Sequence, residues 1–195
     1  YSTNYLTSIE VMPVVEFKSE ISVPGDYDTL KDAVTAIKAM DRPEGEEGRV
    51  TINLTADIQE QIVFDAPYIT LNGNGHEISW YYGVGTLYYS VDPSTGLYNE
   101  RLFRDKYSST EGNGSLWGGV AIIRGDYFTA VDTVFRNTYN YEVVEKEIED
   151  FAGATGNLPD RTAPDVDVTA YAAKERSNAF YIEAKNISVY NCQIL

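Results

Sequence analysis

The sequence is poor in the side chains on which several kinds of active site depend. Its 195 residues include one cysteine, Cys192, and one histidine, His76. A single thiol cannot form an internal disulfide, and the apolar residues around Cys192 predict a buried structural thiol within a strand. A zinc site built from two or three histidines is excluded within this chain. Because His76 falls in a turn rich in Gly and Asn, any hydrolytic chemistry is expected to use carboxylates.

Positive charge and long apolar runs are also scarce. The chain carries 15 basic and 30 acidic side chains, a formal net charge of -15. Nucleic acids and anionic membranes both require a basic face, so neither is expected as a partner. No apolar run approaches the length of a membrane span. Strong net charge is equally well explained as keeping a secreted protein soluble, and we expect an extracellular location for a mature protein or an excised piece of one.

Short strands are predicted along most of the chain. Residues 1–25 read as an extended segment, and one helix is expected to begin at the N-cap Asp28 and to end before Pro43. Runs rich in Val, Ile, Thr and aromatic residues then predict strands. Their ranges are Val50–Leu54, Gln61–Phe64, Ile69–Asn72, Glu77–Tyr82, Gly119–Arg124, Phe128–Asn137, Phe180–Ala184 and Ile187–Ile194.

Three segments share one pattern, at 68–73, 127–132 and 186–191. Each has a lead residue, an apolar residue, a hydroxyl residue and a second apolar residue, with an Asn or Asp soon after. The shared pattern indicates one structural unit that is used repeatedly. An ordinary β-sandwich with Asn in its turns is the alternative that the pattern alone leaves open.

Two long interruptions separate the strands, at about 83–118 and 140–176. Insertions of this kind form loops on one face of a repeat protein, and that face often binds the ligand. Asp165 and Asp167 are read as part of a solvated acidic loop and not as a calcium site, and the stretch 142–151 is predicted to be helical. Aromatic residues in or beside the interruptions could stack on sugar rings or pack over the protein surface; they are Trp80, Tyr81, Tyr82, Tyr88, Tyr89, Trp117, Tyr139 and Tyr141.

Three Asn-Xaa-Ser/Thr sequons occur, at Asn53, Asn113 and Asn186. Asn53 and Asn186 fall in predicted strands, where a glycan is not expected. Asn113 lies in a glycine-rich stretch and would be accessible.

The succession of these segments resembles the pectinesterase (pectin methylesterase) family from about residue 26 onward, and the large second insertion is similar to that of bacterial members. Residues 27–34 look like the family's opening helix, and 120–138 resemble the segment that ends in Phe135-Arg136-Asn137-Thr138. The remaining matching stretches are 49–54, 60–64, 68–73, 179–183 and 189–192.

The resemblance implies an all-β fold, a right-handed single-stranded parallel β-helix of the pectin lyase-like type. An N-terminal helix would cap it, and 26–195 would form the N-terminal part of the β-helix, left incomplete at the C-terminal end. The implied activity is hydrolysis of the methyl ester of galacturonate in pectin, with no cofactor and no metal. The family uses one aspartate as nucleophile and another as general acid/base, with glutamine side chains that support the oxyanion.

Few of the family's site residues have a counterpart in this chain. Asn178 stands at the position of an oxyanion-supporting glutamine, and its side chain is shorter by one methylene. Trp117 and Gly118 stand where the family has a hydroxyl-containing stretch, and with Tyr139 they are the candidate substrate-binding residues. Both aspartates would follow Leu195, so the chain alone is expected to be inactive.

The expected partners are methylated pectin and the remaining part of the same fold. Two alternatives stay open at this point. One is a non-catalytic β-helix that binds polysaccharide, and the other is a pectate lyase-like protein, which would require calcium.

Overall fold

Strands dominate the residues that the computed structural model describes, which are 15–83, 118–149 and 177–195. The helix α1 spans Leu30–Ala39. The strands are β1 (Glu20–Val23), β2 (Val50–Leu54), β3 (Ile58–Gln59), β4 (Ile62–Phe64), β5 (Ile69–Asn72), β6 (Glu77–Trp80), β7 (Gly119–Ile123), β8 (Thr129–Val131), β9 (Val134–Asn137), β10 (Asn178–Ile182), β11 (Ser188–Tyr190) and β12 (Gln193–Ile194).

The strands form three sheets in which every strand pair is parallel. Sheet 1 has the order β1-β2-β5-β8-β11, sheet 2 the order β3-β6-β9-β12, and sheet 3 the order β4-β7-β10. From β2 onward the chain visits sheets 1, 2 and 3 in turn, and we call one such visit a cycle. From β5 onward, each strand therefore pairs with the strand that occupies the same place one cycle earlier, and β2 also pairs with β1. The prediction of an all-β protein with parallel strands is confirmed.

The three segments with a shared pattern pair at equivalent positions in sheet 1. Thr70 is opposite Thr129, and Thr129 is opposite Ser188, so the hydroxyl residues form one column. Leu71 and Ala130 are aligned in the neighbouring column, and both are fully buried. Alternate residues of a strand point to opposite faces, so the hydroxyl column lies on the other face from the core. The prediction of one repeated structural unit is thus confirmed by the strand register.

Two of the predicted long strands were wrong, because each is divided by a residue with a left-handed backbone. Asp132, with a φ of 48°, separates β8 from β9, and Asn191, with a φ of 50°, separates β11 from β12. Asn74 has a φ of 51° at the equivalent place between β5 and β6. Asn and Asp are the residues other than Gly that tolerate this conformation best. Cys192 lies in the connection after Asn191, so the prediction of a buried thiol within a strand is wrong: it is half-buried.

A second left-handed position precedes each strand of sheet 1 from β5 onward. Tyr68, Tyr127 and Asn186 have φ values of 57°, 60° and 59°. The rings of the two tyrosines stack with centroids 4.6 Å apart and an interplanar angle of 5°, and the guanidinium of Arg49 lies over the Tyr68 ring. Asn186 is exposed in a bend before β11, which corrects its predicted placement in a strand. Asn53 does lie in a strand, and its side chain accepts a hydrogen bond from Asn72.

The helix α1 packs against β1 and β4 through one apolar face. Leu30, Ala33, Val34 and Ile37 are buried at helical spacing. The N-cap is Thr29, whose hydroxyl accepts from the Asp32 N–H, and not Asp28 as predicted.

The segment predicted as extended also contains β1, which pairs with β2 in sheet 1. A further helical stretch is described at 145–149, inside the stretch that was predicted to be helical. No helix in the described ranges is long and apolar enough to cross a membrane.

Glu60 connects the helix to the strands. Its carboxylate accepts hydrogen bonds from the first two backbone N–H groups of α1, those of Leu30 and Lys31, both at 2.9 Å. These N–H groups have no partner within the helix, and a negative charge beside them is favourable. Burial raises the pKa of Glu60, and the two N–H donors lower it by less. The ionised form therefore carries a net desolvation penalty despite its hydrogen bonds.

We predict that Glu60→Ala lowers the free energy of unfolding by about 1–2 kcal/mol, because two N–H groups lose their acceptor. Urea denaturation at neutral pH measures this change. Glu44→Ala is the control, since Glu44 is exposed and makes no capping hydrogen bond. Equal effects of the two substitutions would contradict the capping role.

The pH dependence has a definite sign. Since the folded-state pKa of Glu60 is raised, the native state binds more protons than the unfolded state between the two pKa values. The contribution of Glu60 to stability is therefore most favourable below that window, and it falls as pH rises through the raised pKa. The difference in stability between wild type and Glu60→Gln should change in this direction across the acid range.

Candidate functional site

Asn137, the last residue of β9, lies at the centre of the candidate site. Its Nδ2 atom is within hydrogen-bonding distance of three backbone carbonyl oxygens, those of Gly118 (2.8 Å), Tyr82 (2.9 Å) and Asn178 (2.9 Å). Its Oδ1 atom accepts from the N–H of Tyr139 at 3.0 Å. These partners fix the orientation of the amide, because carbonyls can only accept and an N–H can only donate. We call Tyr82, Gly118, Asn137, Tyr139 and Asn178 the Asn137 cluster.

The cluster lies at the connection through which the chain passes from sheet 2 to sheet 3. Tyr82 and Tyr139 follow β6 and β9 of sheet 2, whereas Gly118 precedes β7 and Asn178 begins β10 of sheet 3. The two internal stretches outside the described residues, 84–117 and 150–176, belong to this connection in successive cycles. In the first cycle the same connection is the short link of Glu60 and Gln61 between β3 and β4. The side chain of Gln61 donates to the carbonyl of Gly119 at 2.7 Å.

The structure brings together three of the four residues that the sequence singled out. Gly118 is buried, and its carbonyl accepts from both the Asn137 side chain and the Asn178 N–H, the latter at 3.4 Å. Asn178 and Tyr139 are half-buried, so each has part of its surface accessible to solvent. Trp117, the fourth candidate, lies outside the described residues, as do the Asp165 and Asp167 pair and the Asn113 sequon.

Further hydrogen bonds tie the chain on either side of the cluster. The backbone N–H of Thr138 donates to the carbonyl of Trp80 at 2.8 Å, and the hydroxyl of Thr138 reaches the same oxygen at 3.3 Å. Asn140 donates to the hydroxyl of Ser177 at 3.3 Å. The ends of the connection are thus held by side chains from β9 and from the residues just after it.

The aromatic residues nearest the cluster belong to the core and not to a sugar-binding surface. Trp80, Tyr81 and Tyr82 are all buried, and their rings contact one another with centroids 4.5–5.4 Å apart. Such rings cannot offer a flat face to a sugar. Tyr141 is the contrasting case, with 63% of its surface exposed and the Arg136 guanidinium 5.9 Å from its ring centroid. The hypothesis of aromatic stacking is therefore wrong for the Trp80-Tyr81-Tyr82 run.

The Asn137 cluster contains no carboxylate and no histidine. A nucleophile and a proton shuttle would have to come from elsewhere. Across residues 15–83, 118–149 and 177–195, no three His, Cys, Asp or Glu side chains lie close enough to hold a metal ion. The Asn137 cluster is therefore not a complete catalytic centre by itself.

Sequence reasoning missed Asn137 itself. It was noted only as part of the Phe-Xaa-Asn-Thr stretch, and its partners lie 55, 19 and 41 residues away along the chain. The available signal was its place two residues after Phe135, which puts both side chains on the same face of β9. A buried amide at such a position requires partners for all of its polar atoms.

Comparison with protein-family models, with curated proteins and with solved structures finds no match to this chain.

The ring of Tyr139 packs closely against the backbone of Gly83. A Cβ atom added to Gly83 would lie 2.6–3.0 Å from atoms of the Tyr139 ring. We predict that Gly83→Ala displaces this ring and lowers the free energy of unfolding by about 1–3 kcal/mol. Denaturation of the single and double variants measures the coupling: in a Tyr139→Ala background the cost of Gly83→Ala should largely disappear. An unchanged cost in that background would show that the ring is not what Gly83 accommodates.

Proposed function

We propose that this chain is the N-terminal part of a right-handed parallel β-helix that acts on pectin as a carbohydrate esterase. The observation that carries the proposal is the Asn137 cluster, which gathers the residues that resemble the family's site at one connection of a cyclic parallel fold. Three parallel sheets visited in fixed order are the arrangement expected of such a β-helix, with each cycle forming one rung. The right-handed sense follows the general rule for parallel crossovers.

The edge formed by β10, β11 and β12 supports a stacked arrangement, because it continues the apolar columns of the preceding cycle. Ile182, Val189 and Ile194 are 48%, 40% and 54% exposed. Their partners one cycle earlier, Ile123, Ala130 and Phe135, are fully buried. At the other end of the stack, α1 packs against β1 and β4. A parallel strand paired to this edge would bury the three exposed residues and pair the open backbone groups.

The charge of the chain favours the methylated form of the polysaccharide. A net charge of -15 repels demethylated galacturonate, which carries one carboxylate per sugar, whereas the methyl ester is uncharged. An ester also presents a carbonyl that amide donors can hold. In this proposal Asn178 supports the oxyanion, Tyr139 and Trp117 contact the substrate, and the buried Gly118 holds the site together through its backbone carbonyl. No aspartate of this chain is assigned to the bond-breaking step.

The esterase proposal predicts binding without turnover by the isolated chain. Isothermal titration calorimetry should show that a methylated galacturonate oligomer binds at least about ten-fold tighter than its demethylated form at low salt. The difference should shrink in about 0.5 M salt as the charges are screened. Methanol release from methylated pectin should be undetectable.

Two results would contradict this proposal. Equal affinity for a neutral glucan of the same length would remove the specificity for pectin. Methanol release by the isolated chain would show that its own residues suffice for catalysis.

A non-catalytic polysaccharide-binding β-helix is the second candidate, favoured by the shorter side chain of Asn178 at the glutamine position. Lengthening that side chain tests the two candidates in the intact protein. If the site is catalytic, Asn178→Gln should preserve or raise the esterase activity. If the site only binds, the substitution should change the affinity for the polysaccharide, with no esterase activity in either protein.

The open edge predicts self-association of the isolated chain. Exposed apolar residues on unpaired parallel strands are a ready surface for contact between copies. Sedimentation velocity should show concentration-dependent association, and Val189→Lys with Ile194→Lys should reduce it. Ile194→Lys alone should also reduce association, and Gln59→Lys is its matched control, since it adds one positive charge at an exposed position of β3, on the opposite edge of sheet 2. If the wild-type chain sediments as a monomer at high micromolar concentration, the edge of β10, β11 and β12 does not drive self-association.

A further inference from the structure

The four partners of the Asn137 side chain are the points where the chain leaves sheet 2 and enters sheet 3 in two successive cycles. Tyr82 lies just before the first long stretch, and Gly118 lies just after it. Tyr139 and Asn178 stand in the same relation to the second stretch. One buried amide therefore contacts both points of departure and both points of return.

The chemistry of this contact is demanding. A side-chain amino group has two N–H protons, so one of the three carbonyl contacts must share a proton with another. Asn137 is 4% exposed, which means that water cannot readily replace a lost donor. Backbone carbonyls cannot turn into donors. Only a side chain with an amino group on one side and an acceptor on the other satisfies all four partners at this position.

We infer that Asn137 is a positioning residue for the proposed ligand site. It sets the places of Gly118, Tyr139 and Asn178 relative to one another without itself contacting the substrate. The role of Asn137 in the ligand site rests on the proposed function. Its four hydrogen bonds between the ends of sheet 2 and sheet 3, which we call the Asn137 clamp, are tested independently of any ligand.

The test compares Asn137→Asp with Asn72→Asp in the full 195-residue chain. Asn137→Asp keeps an oxygen for the Tyr139 N–H but turns the donor into an acceptor that faces three carbonyls. Asn72 is the matched control, because it also lies in a strand and donates to a single partner, Oδ1 of Asn53, at 2.9 Å. The Asn53 amide can rotate and donate to the new carboxylate, which the carbonyls around Asn137 cannot do.

The readout is amide hydrogen exchange followed by NMR, expressed as protection factors. In Asn137→Asp at neutral pH, protection of the Asn178 N–H should fall about ten- to hundred-fold, as expected when buried acceptors lose their donor. Protection of the Tyr139 N–H should persist, since its acceptor is retained. At acid pH the protonated carboxyl regains one donor, so part of the Asn178 protection should return. Asn72→Asp should change the Asn178 protection by less than about three-fold.

Equal loss of protection at Asn178, Tyr139 and a distant core amide such as Ile52, with no recovery in acid, would overturn the inference. That pattern would show that Asn137 stabilises the whole fold and positions nothing in particular. If Asn137→Asp fails to fold, the wild-type chain still decides the matter. The side-chain amide protons of Asn137 should exchange among the slowest of all Asn and Gln side chains, and rapid exchange would overturn the clamp.

The ligand arm uses a methylated galacturonate oligomer as the probe. Its affinity should fall about ten-fold or more in Asn137→Asp and stay unchanged in Asn72→Asp. A chain that folds, shows the local exchange pattern and binds the probe with unchanged affinity would overturn the role in the ligand site. If the wild-type chain does not bind the methylated oligomer, the proposed function is contradicted. The hydrogen-exchange pattern then tests only whether Asn137 holds the ends of the two sheets together.

Discussion

Parallel pairing between strands one cycle apart is the constraint on which the rest of this structure depends. From β5 onward, every strand hydrogen-bonds to the strand that holds the same place in the preceding cycle. The residues at one position are therefore stacked in columns, such as Ile52, Leu71 and Ala130 inside sheet 1. A column stays apolar only if the paired strands of successive cycles keep the same register, which requires each strand to begin and end at equivalent positions. This explains why left-handed residues recur at fixed places before and after the strands of sheet 1.

Local sequence patterns predicted the elements whose determinants are local. Val50–Leu54 and Ile69–Asn72 were placed correctly, because β-branched residues there alternate in burial. The repeated unit was visible because a column in register requires similar residues in each cycle. Strand ends were less accessible to prediction. Asp132 and Asn191 are compatible with an extended backbone in isolation, and only the turn from sheet 1 to sheet 2 requires them to be left-handed.

The candidate site could be predicted only in part, since its geometry is non-local. Gly118, Tyr139 and Asn178 were identified through a resemblance and not through any spacing that would bring them together. Their common partner is Asn137, the buried amide at the end of β9. The burial of Trp80, Tyr81 and Tyr82 was likewise hidden, because an aromatic run beside a long interruption looks the same whether it lines a groove or closes a core. Glu60 was read as part of a strand motif, and its hydrogen bonds to α1 depend on a contact about thirty residues away.

At the connection from sheet 2 to sheet 3, the number of residues varies between cycles, although the strands that it joins keep the same places in the sheets. Loop-closure entropy grows only slowly with length, so a stretch between fixed ends can be extended at small thermodynamic expense. Here the ends are fixed by one amide, and the strands on either side pair without reference to what lies between them. The same junction is spanned by two residues in the first cycle and by long stretches in the next two. Segments exchanged at this junction, including a whole foreign domain, would be expected to leave the three sheets intact, which makes it a natural grafting point for altering what the fold recognises.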